Sequence, residues 1–345
     1  FKAVTRYWDR ITHPAQVIQS LPAALATMLD PADCGPTFIA LPQDVQGWSH
    51  DYPAAFFDER VHHIRRQAPD ITEIEDAASL VASAKRPLII AGGGVQYSGA
   101  IKELSSFAET LNIPVVETIA GRANMLATHP LNIGPVGVTG SDSANWAAER
   151  ADVILSIGCR LQDFTTGSWT AFSHDAQFIS LNAARHDAAK HRSLPVVGDA
   201  KLGLAALQKT LGERCSDSTW TKEAQAQRQI WDHTVAETVR AGDNRPNSYA
   251  QAIGVVNALV ADHDRVVAAA GGLPAEVTAN WRTLKTGTVD VEFGFSCMGY
   301  EIAGAWGARI AQSEKEPEAD TISFVGDGSY LMLYSDIYSS VLTGK

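Results

Sequence analysis

The chain has 345 residues, with 28 Lys plus Arg against 39 Asp plus Glu, giving a formal net charge of -11. With 45% hydrophobic and 19% charged residues it can bury a sizeable core, which excludes a disordered chain, and its length predicts two or three domains. The acidic balance, without any Lys/Arg cluster, predicts no nucleic-acid partner and no anionic membrane surface. No apolar run is long enough for a bilayer, and Phe1-Lys2-Ala3-Val4-Thr5-Arg6 lacks a signal-peptide core, so a soluble protein is expected. Cys34, Cys159, Cys215 and Cys297 are scattered singly, which suggests neither a disulfide framework nor a zinc spacing and fits the cytoplasm. Residue one is Phe, and Tyr338 to Lys345 reads as an unfinished helix, so a piece of a longer chain is expected.

Thr12-His13-Pro14 opens an apolar-periodic run through Val17, Leu21, Leu25 and Met28, which predicts a helix. Thr37 to Leu41, stopped by Pro42, reads as a buried parallel strand. Gln43 to Pro69 has no periodicity and reads as a linker. An alternation follows: helix Thr72 to Ala84, strand Leu88 to Ala91, Gly92-Gly93-Gly94, helix Ala100 to Leu111 and strand Val115 to Glu117. A second half repeats it with helix Ser143 to Arg150, strands Val153 to Gly158 and Phe178 to Leu181, and helix Leu202 to Leu211. The polar segment Ser216 to Asn247 reads as a crossing arm. Beyond it come helix Tyr249 to Val260, strand Val266 to Ala269, Gly271-Gly272, helix Gly299 to Ala311, strand Thr321 to Val325 and a final helix. Interleaved strands and helices predict an α/β fold of three parallel-sheet units, the outer two incomplete, divided at residues 1–60, 68–215 and 216–345.

The strongest local motif is Thr321 to Ser329, a strand running into Gly326-Asp327-Gly328 and then a helix. Glycines admit close backbone approach, helix N-terminal N–H groups face a phosphate, and one carboxylate suits Mg2+, which keeps phosphate and water oxygens as its other ligands. Taken alone, the same residues also suit a turn that merely joins strand to helix. Upstream, Gly294 to Ala308 is a loop feeding a helix rich in Gly and Ala, with Met298 at its mouth; taken alone, core packing is the better account of that Met. Gly92-Gly93-Gly94 departs from the dinucleotide fingerprint and has no clear acid about 20 residues on, so a packing turn is favoured over a nucleotide site. His186 and His191, with Arg185 and Lys190, read as a solvated surface rather than a metal pair.

In this order the two motifs resemble the diphosphate-binding domain of thiamin-diphosphate enzymes of the acetolactate-synthase type. Residues Phe1 to Tyr7 and Ile39 to Val45 look like the tail of that family's pyrimidine-binding domain, and Gly92-Gly93-Gly94 with Asp152 to Gly158 like its central domain. The resemblance implies that Asp327 binds Mg2+ and that backbone N–H groups around Gly326, Gly328 and Ser329 meet the diphosphate. Met298 would prop the bent thiamin diphosphate, with backbone groups of Ser296 and Met298 pairing to its pyrimidine. The activating glutamate and a second metal ligand, an Asn, would lie outside this chain, which alone is expected to be inactive. FAD or an adenine nucleotide, bound in the central domain of some members, is not favoured here, and Leu273-Pro274 stands where some members carry side-chain phosphate contacts.

Gly137 to Gly140, Arg160 to Trp169, Gly271 to Pro274 and Cys297 to Glu301 are most similar to a branch that hydrolyses a carbon–carbon bond of a polyhydroxy cyclic 1,2-dione in myo-inositol catabolism. The family places its active site between subunits, which implies a homodimer or homotetramer. Two rivals stay open: a 2-oxo acid carboligase or decarboxylase, and a dinucleotide-binding oxidoreductase or nucleotide-binding module.

Overall fold

In the computed structural model, which describes residues 1–213, 216–240, 242 and 248–344, every described strand pairs in parallel. Cys215, and residues 241 and 243–247 of the expected arm, lie outside the described residues. The chain divides into two compact units, Phe1–Gln67 with Ala183–Arg185, and Ala68–Asn182 with His186–Lys345.

In the first unit, strand β1 (Tyr7–Arg10) pairs with β2 (Thr37–Ala40), Tyr7 opposite Thr37. Parallel strands need a crossover, and the helix Val17–Met28 supplies it after a 3-10 turn at Pro14–Gln16. Asp9 anchors the start of this helix by accepting bonds from Gln16 Nε2 at 2.9 Å and from the Ser20 hydroxyl. The segment after β2 holds one short helix, Gln43–Gln46, and a 3-10 turn, Ala54–Phe57.

The second unit holds two sheets. Strands β3 (Pro87–Ala91), β4 (Val115–Glu117), β5 (Asn132–Pro135), β6 (Val153–Ile157), β7 (Gln177–Asn182) and β8 (Leu194–Val197) form one, ordered β5-β4-β3-β6-β7-β8. The order reverses between β3 and β6, as in a doubly wound sheet. Helix Ile71–Ser83 buries Ile74, Ala77, Ala78 and Val81 on one stripe and starts on the Asp70 carboxylate, which accepts from Thr72 N at 2.8 Å. Helix Asp142–Arg150 packs on the other face, capped by Ser141.

The arm is a helix, Ser218–Thr238, laid against that same face. Trp220 is buried there, stacked on Trp146 at 5.6 Å and donating its indole N–H to Pro87 O at 2.8 Å. The second sheet has β9 (Arg265–Ala268), β10 (Val289–Val291) and β11 (Thr321–Phe324), ordered β10-β9-β11. Around it pack the helices Tyr249–Leu259, Leu273–Asn280 and Tyr300–Ser313.

Strands β1, β5, β8 and β10 and the helix Leu273–Asn280 lie outside the sequence expectation. β5, β8 and β10 are sheet edges: β5 and β8 carry Pro past their first residue, which an edge tolerates, and β10 is three residues long. The helix begins with Pro at its first turn, where a missing N–H costs nothing. The expected final helix is two, Asp327–Leu333 and Ser335–Thr343.

The two sheets share core residues, because Ile119 and Ala123 from the turn after β4 pack with Ile253, Val266, Val277 and Trp281. Between those two residues, Arg122 is 5% exposed, ion-paired with the fully buried Glu117, and donates to Trp281 O at 2.8 Å. Glu117 also accepts from Met125 N at 2.9 Å. A second link is Asp232, which accepts from both Arg228 at 2.6 Å and Arg282 at 2.5 Å.

Candidate functional site

Because β10, β9 and β11 run parallel, the loops leaving their carboxyl ends gather on one edge: Glu292–Gly299, Ala269–Gly272 and Val325–Gly328. Glu301, fully buried in the first turn of the helix Tyr300–Ser313, ties two of them together. Its side chain accepts from Ala270 N at 2.9 Å and from Gly299 N at 3.0 Å. Glu292 braces the longest loop from inside, accepting from Phe295 N at 3.1 Å and Cys297 N at 3.2 Å. Tyr300 donates to Asp290 at 3.3 Å; burial first, and then Asp290, push its phenol up to about 12.

Met298 and Gly328, singled out separately in the sequence, meet here. A β-carbon on Gly328 would lie 3.2 Å from Met298 Cε, so the thioether covers the glycine of the third loop. Met298 is 48% exposed, which removes the core-packing account of it. Ser296 stands at φ 50°, a left-handed conformation that aims the loop backbone, and Gly299 follows at φ 92°. Gly326 precedes the helix Asp327–Leu333, Asp327 is exposed at its first position, and Ser329 is buried within it. The Asp327 carboxylate accepts from Gly328 N at 2.9 Å, which holds it at the helix start.

A cofactor carrying a diphosphate fits this edge. Gly271, at φ 79°, and Gly326 both face open space where a side chain would stand, so a ligand can approach the backbone at the ends of β9 and β11. First-turn N–H groups of a helix have no intrahelical carbonyl to donate to, and at this helix the Gly328 N–H is taken by the Asp327 carboxylate.

Residues 269–343, which include all three of these loops, match the thiamine pyrophosphate enzyme C-terminal TPP binding domain, and residues 74–207 match the thiamine pyrophosphate enzyme central domain. Together the two matches cover more than half of the chain. The chain belongs to the thiamine pyrophosphate enzymes. It is 39% identical over 368 residues to the 3D-(3,5/4)-trihydroxycyclohexane-1,2-dione hydrolase of Geobacillus thermodenitrificans (strain NG80-2), a match covering 100% of this chain and 56% of that protein. The enzymes of the same name from Bacillus cereus (strain AH820) and Bacillus anthracis (strain CDC 684 / NRRL 3495) are each 38% identical, and this chain covers 57% of their length. The chain thus spans little more than half the length of these curated relatives.

In the thiamine pyrophosphate enzyme central domain, Gly92-Gly93-Gly94 has a packing role. A β-carbon on Gly94 would come within 2.6 Å of Gly158 Cα, and Gly94 N donates to Gly158 O at 2.9 Å, so the glycines let the ends of β3 and β6 touch. His191 sits beside Trp169 with ring centroids 3.8 Å apart, and His186 is exposed. Among the described residues no group of three or more His, Cys, Asp or Glu is placed to hold a metal, and no helix is long and apolar enough to cross a membrane. Glu301, Glu292 and the Tyr300–Asp290 pair are the residues that sequence reasoning missed. The available signal was an acid two residues past Gly299, at the first turn of a helix otherwise crowded with small residues.

Proposed function

We propose that this chain is part of a thiamin-diphosphate-dependent hydrolase that opens a polyhydroxylated cyclic 1,2-dione by breaking the bond between its two carbonyl carbons. The observation that carries the reading is the juxtaposition of Met298 with Gly328 at an edge whose glycines leave room for a ligand. The activity for which the relatives are named supplies the reaction class. In balance, one water is consumed, one carbonyl carbon becomes a carboxyl group and the other an aldehyde.

Asp327 would hold Mg2+ against the diphosphate, with backbone N–H groups around Gly326, Gly328 and Ser329 on the phosphate oxygens. Met298 would support the bent cofactor, and the backbone of Ser296 and Met298 would pair with its pyrimidine. When bound, thiamin diphosphate supplies a carbon nucleophile and an electron sink. Glu301 acts one step back: by fixing the N–H groups of Ala270 and Gly299 it sets the spacing of the two loops that receive the cofactor. A homodimer or homotetramer and a cytoplasmic setting go with this reading.

The test is an assay of the full-length protein with thiamin diphosphate and Mg2+, offering trihydroxycyclohexane-1,2-dione and pyruvate side by side. Ring opening without pyruvate consumption is expected. Turnover of pyruvate alone would replace the hydrolase by a carboligase or decarboxylase.

A further inference from the structure

Arg160 leaves β6 on the six-stranded sheet, yet its guanidinium reaches the loop that follows β10. Its Nη2 lies 3.4 Å from the point a β-carbon on Gly294 would occupy, and Glu292 Oε1 lies 3.2 Å from that same point. The two loops also touch through Phe164 and Phe293, edge to face with centroids 4.5 Å apart. Phe164 is fixed in turn by its carbonyl, which accepts from Val138 N at 2.9 Å.

Both loops hold non-glycine residues in the left-handed region. Leu161, Ser168 and Trp169 stand at φ 46°, 53° and 68° on one side, and Ser296 at φ 50° on the other. Non-glycine residues held in the left-handed region cost free energy and collect at ligand clamps. At Leu161 the effect is visible: its side chain is buried while the preceding Arg160 is exposed. The Arg160 carbonyl accepts from Lys190 Nζ at 3.3 Å, and Lys190 is ion-paired with Asp187, so the main chain under the guanidinium is anchored. The Glu292 carboxylate beside it accepts from the N–H groups of Phe295 and Cys297, and the guanidinium presents five N–H donors in a fixed fork.

We propose that Arg160 is a specificity-determining residue, contributed by the central sheet, that binds two neighbouring hydroxyl oxygens of the substrate ring. This rests on the cofactor reading of the Met298–Gly328 edge. A guanidinium presents parallel N–H groups in a fixed fork, matched to two neighbouring oxygens, and the vicinal hydroxyls of a polyhydroxylated ring offer such a pair.

The experiment uses the full-length enzyme with Arg160→Gln and Arg160→Lys, each assayed with trihydroxycyclohexane-1,2-dione and with unsubstituted cyclohexane-1,2-dione, alongside thiamin diphosphate affinity by calorimetry in Mg2+. In Arg160→Gln the preference in kcat/KM for the hydroxylated ring should fall about tenfold or more, chiefly through KM, with cofactor affinity within about twofold of wild type. Arg160→Lys, which keeps the charge but not the fork, should fall between. An unchanged preference in both variants would overturn the proposal, as would a loss of cofactor affinity in step with the loss of activity. Absence of thiamin diphosphate binding in the wild type would overturn the cofactor reading, and this one with it.

Discussion

Met298 Cε stands 3.2 Å from where a β-carbon on Gly328 would be, so residues thirty positions apart in the chain form one wall and one floor of the same edge. The thioether touches the glycine of the diphosphate loop but carries no charge for a phosphate. Met298→Ala in the full-length enzyme should therefore lower kcat about tenfold or more while thiamin diphosphate affinity changes little, because a prop sets cofactor geometry and not its anchorage. Steady-state kinetics with calorimetry on the same sample checks this. Unchanged turnover would remove Met298 from the site.

Asp327 is exposed at the start of its helix, so its side chain does little for folding. Asp327→Ala should weaken Mg2+-dependent thiamin diphosphate binding on the order of 100-fold while leaving the thermal unfolding curve in place. Titration of cofactor with and without Mg2+ separates the two effects, and a variant with normal affinity would exclude the carboxylate as a metal ligand.

Glu301 is fully buried and satisfies two backbone donors from different loops. In Glu301→Gln one of those N–H groups faces an amide nitrogen, at a cost of about 2 kcal/mol. Urea unfolding should show the lowered midpoint, and hydrogen exchange at Ala270 and Gly299 should quicken first.

The Glu117–Arg122 pair is buried between the two sheets of the larger unit. Burial pushes the Arg122 guanidinium pKa down, and the neighbouring Glu117 opposes that shift. Arg122→Met leaves Glu117 without its counter-charge and Trp281 O without its donor, and should cost about 3–5 kcal/mol. Arg122→Met with Glu117→Gln should recover part of that, which denaturant titration of the single and double variants would measure.

Asp9 gives a pH-dependent test in the smaller unit. Hydrogen bonds from Ser20 and then Gln16 hold its carboxyl below the ordinary 3.8. A folded-state pKa below the unfolded value means that the stabilisation is fully present above the unfolded pKa and is lost as pH falls through the folded one. Asp9→Asn should destabilise this unit at neutral pH, and the gap from wild type should close once pH drops well below 3.8. A gap that persists in acid would point to packing instead of charge.

The sequence by itself determined the parts whose chemistry is local. Apolar runs located the central strands β3, β6 and β9, stripes such as Ile74, Ala77, Ala78 and Val81 located the helices, and Gly326-Asp327-Gly328 with Met298 marked the site. Central strands are buried on both faces and so declare themselves in composition. Edge strands such as β5 and β8 do not, because half of their backbone pairing is absent and Pro becomes tolerable there. Only the tertiary structure decided that Glu301 spans two loops, that Arg122 joins two sheets and that Arg160 reaches Gly294. Each of those is a contact between residues far apart in sequence, fixed by which strand ends share an edge, and a one-dimensional pattern carries no record of such pairing.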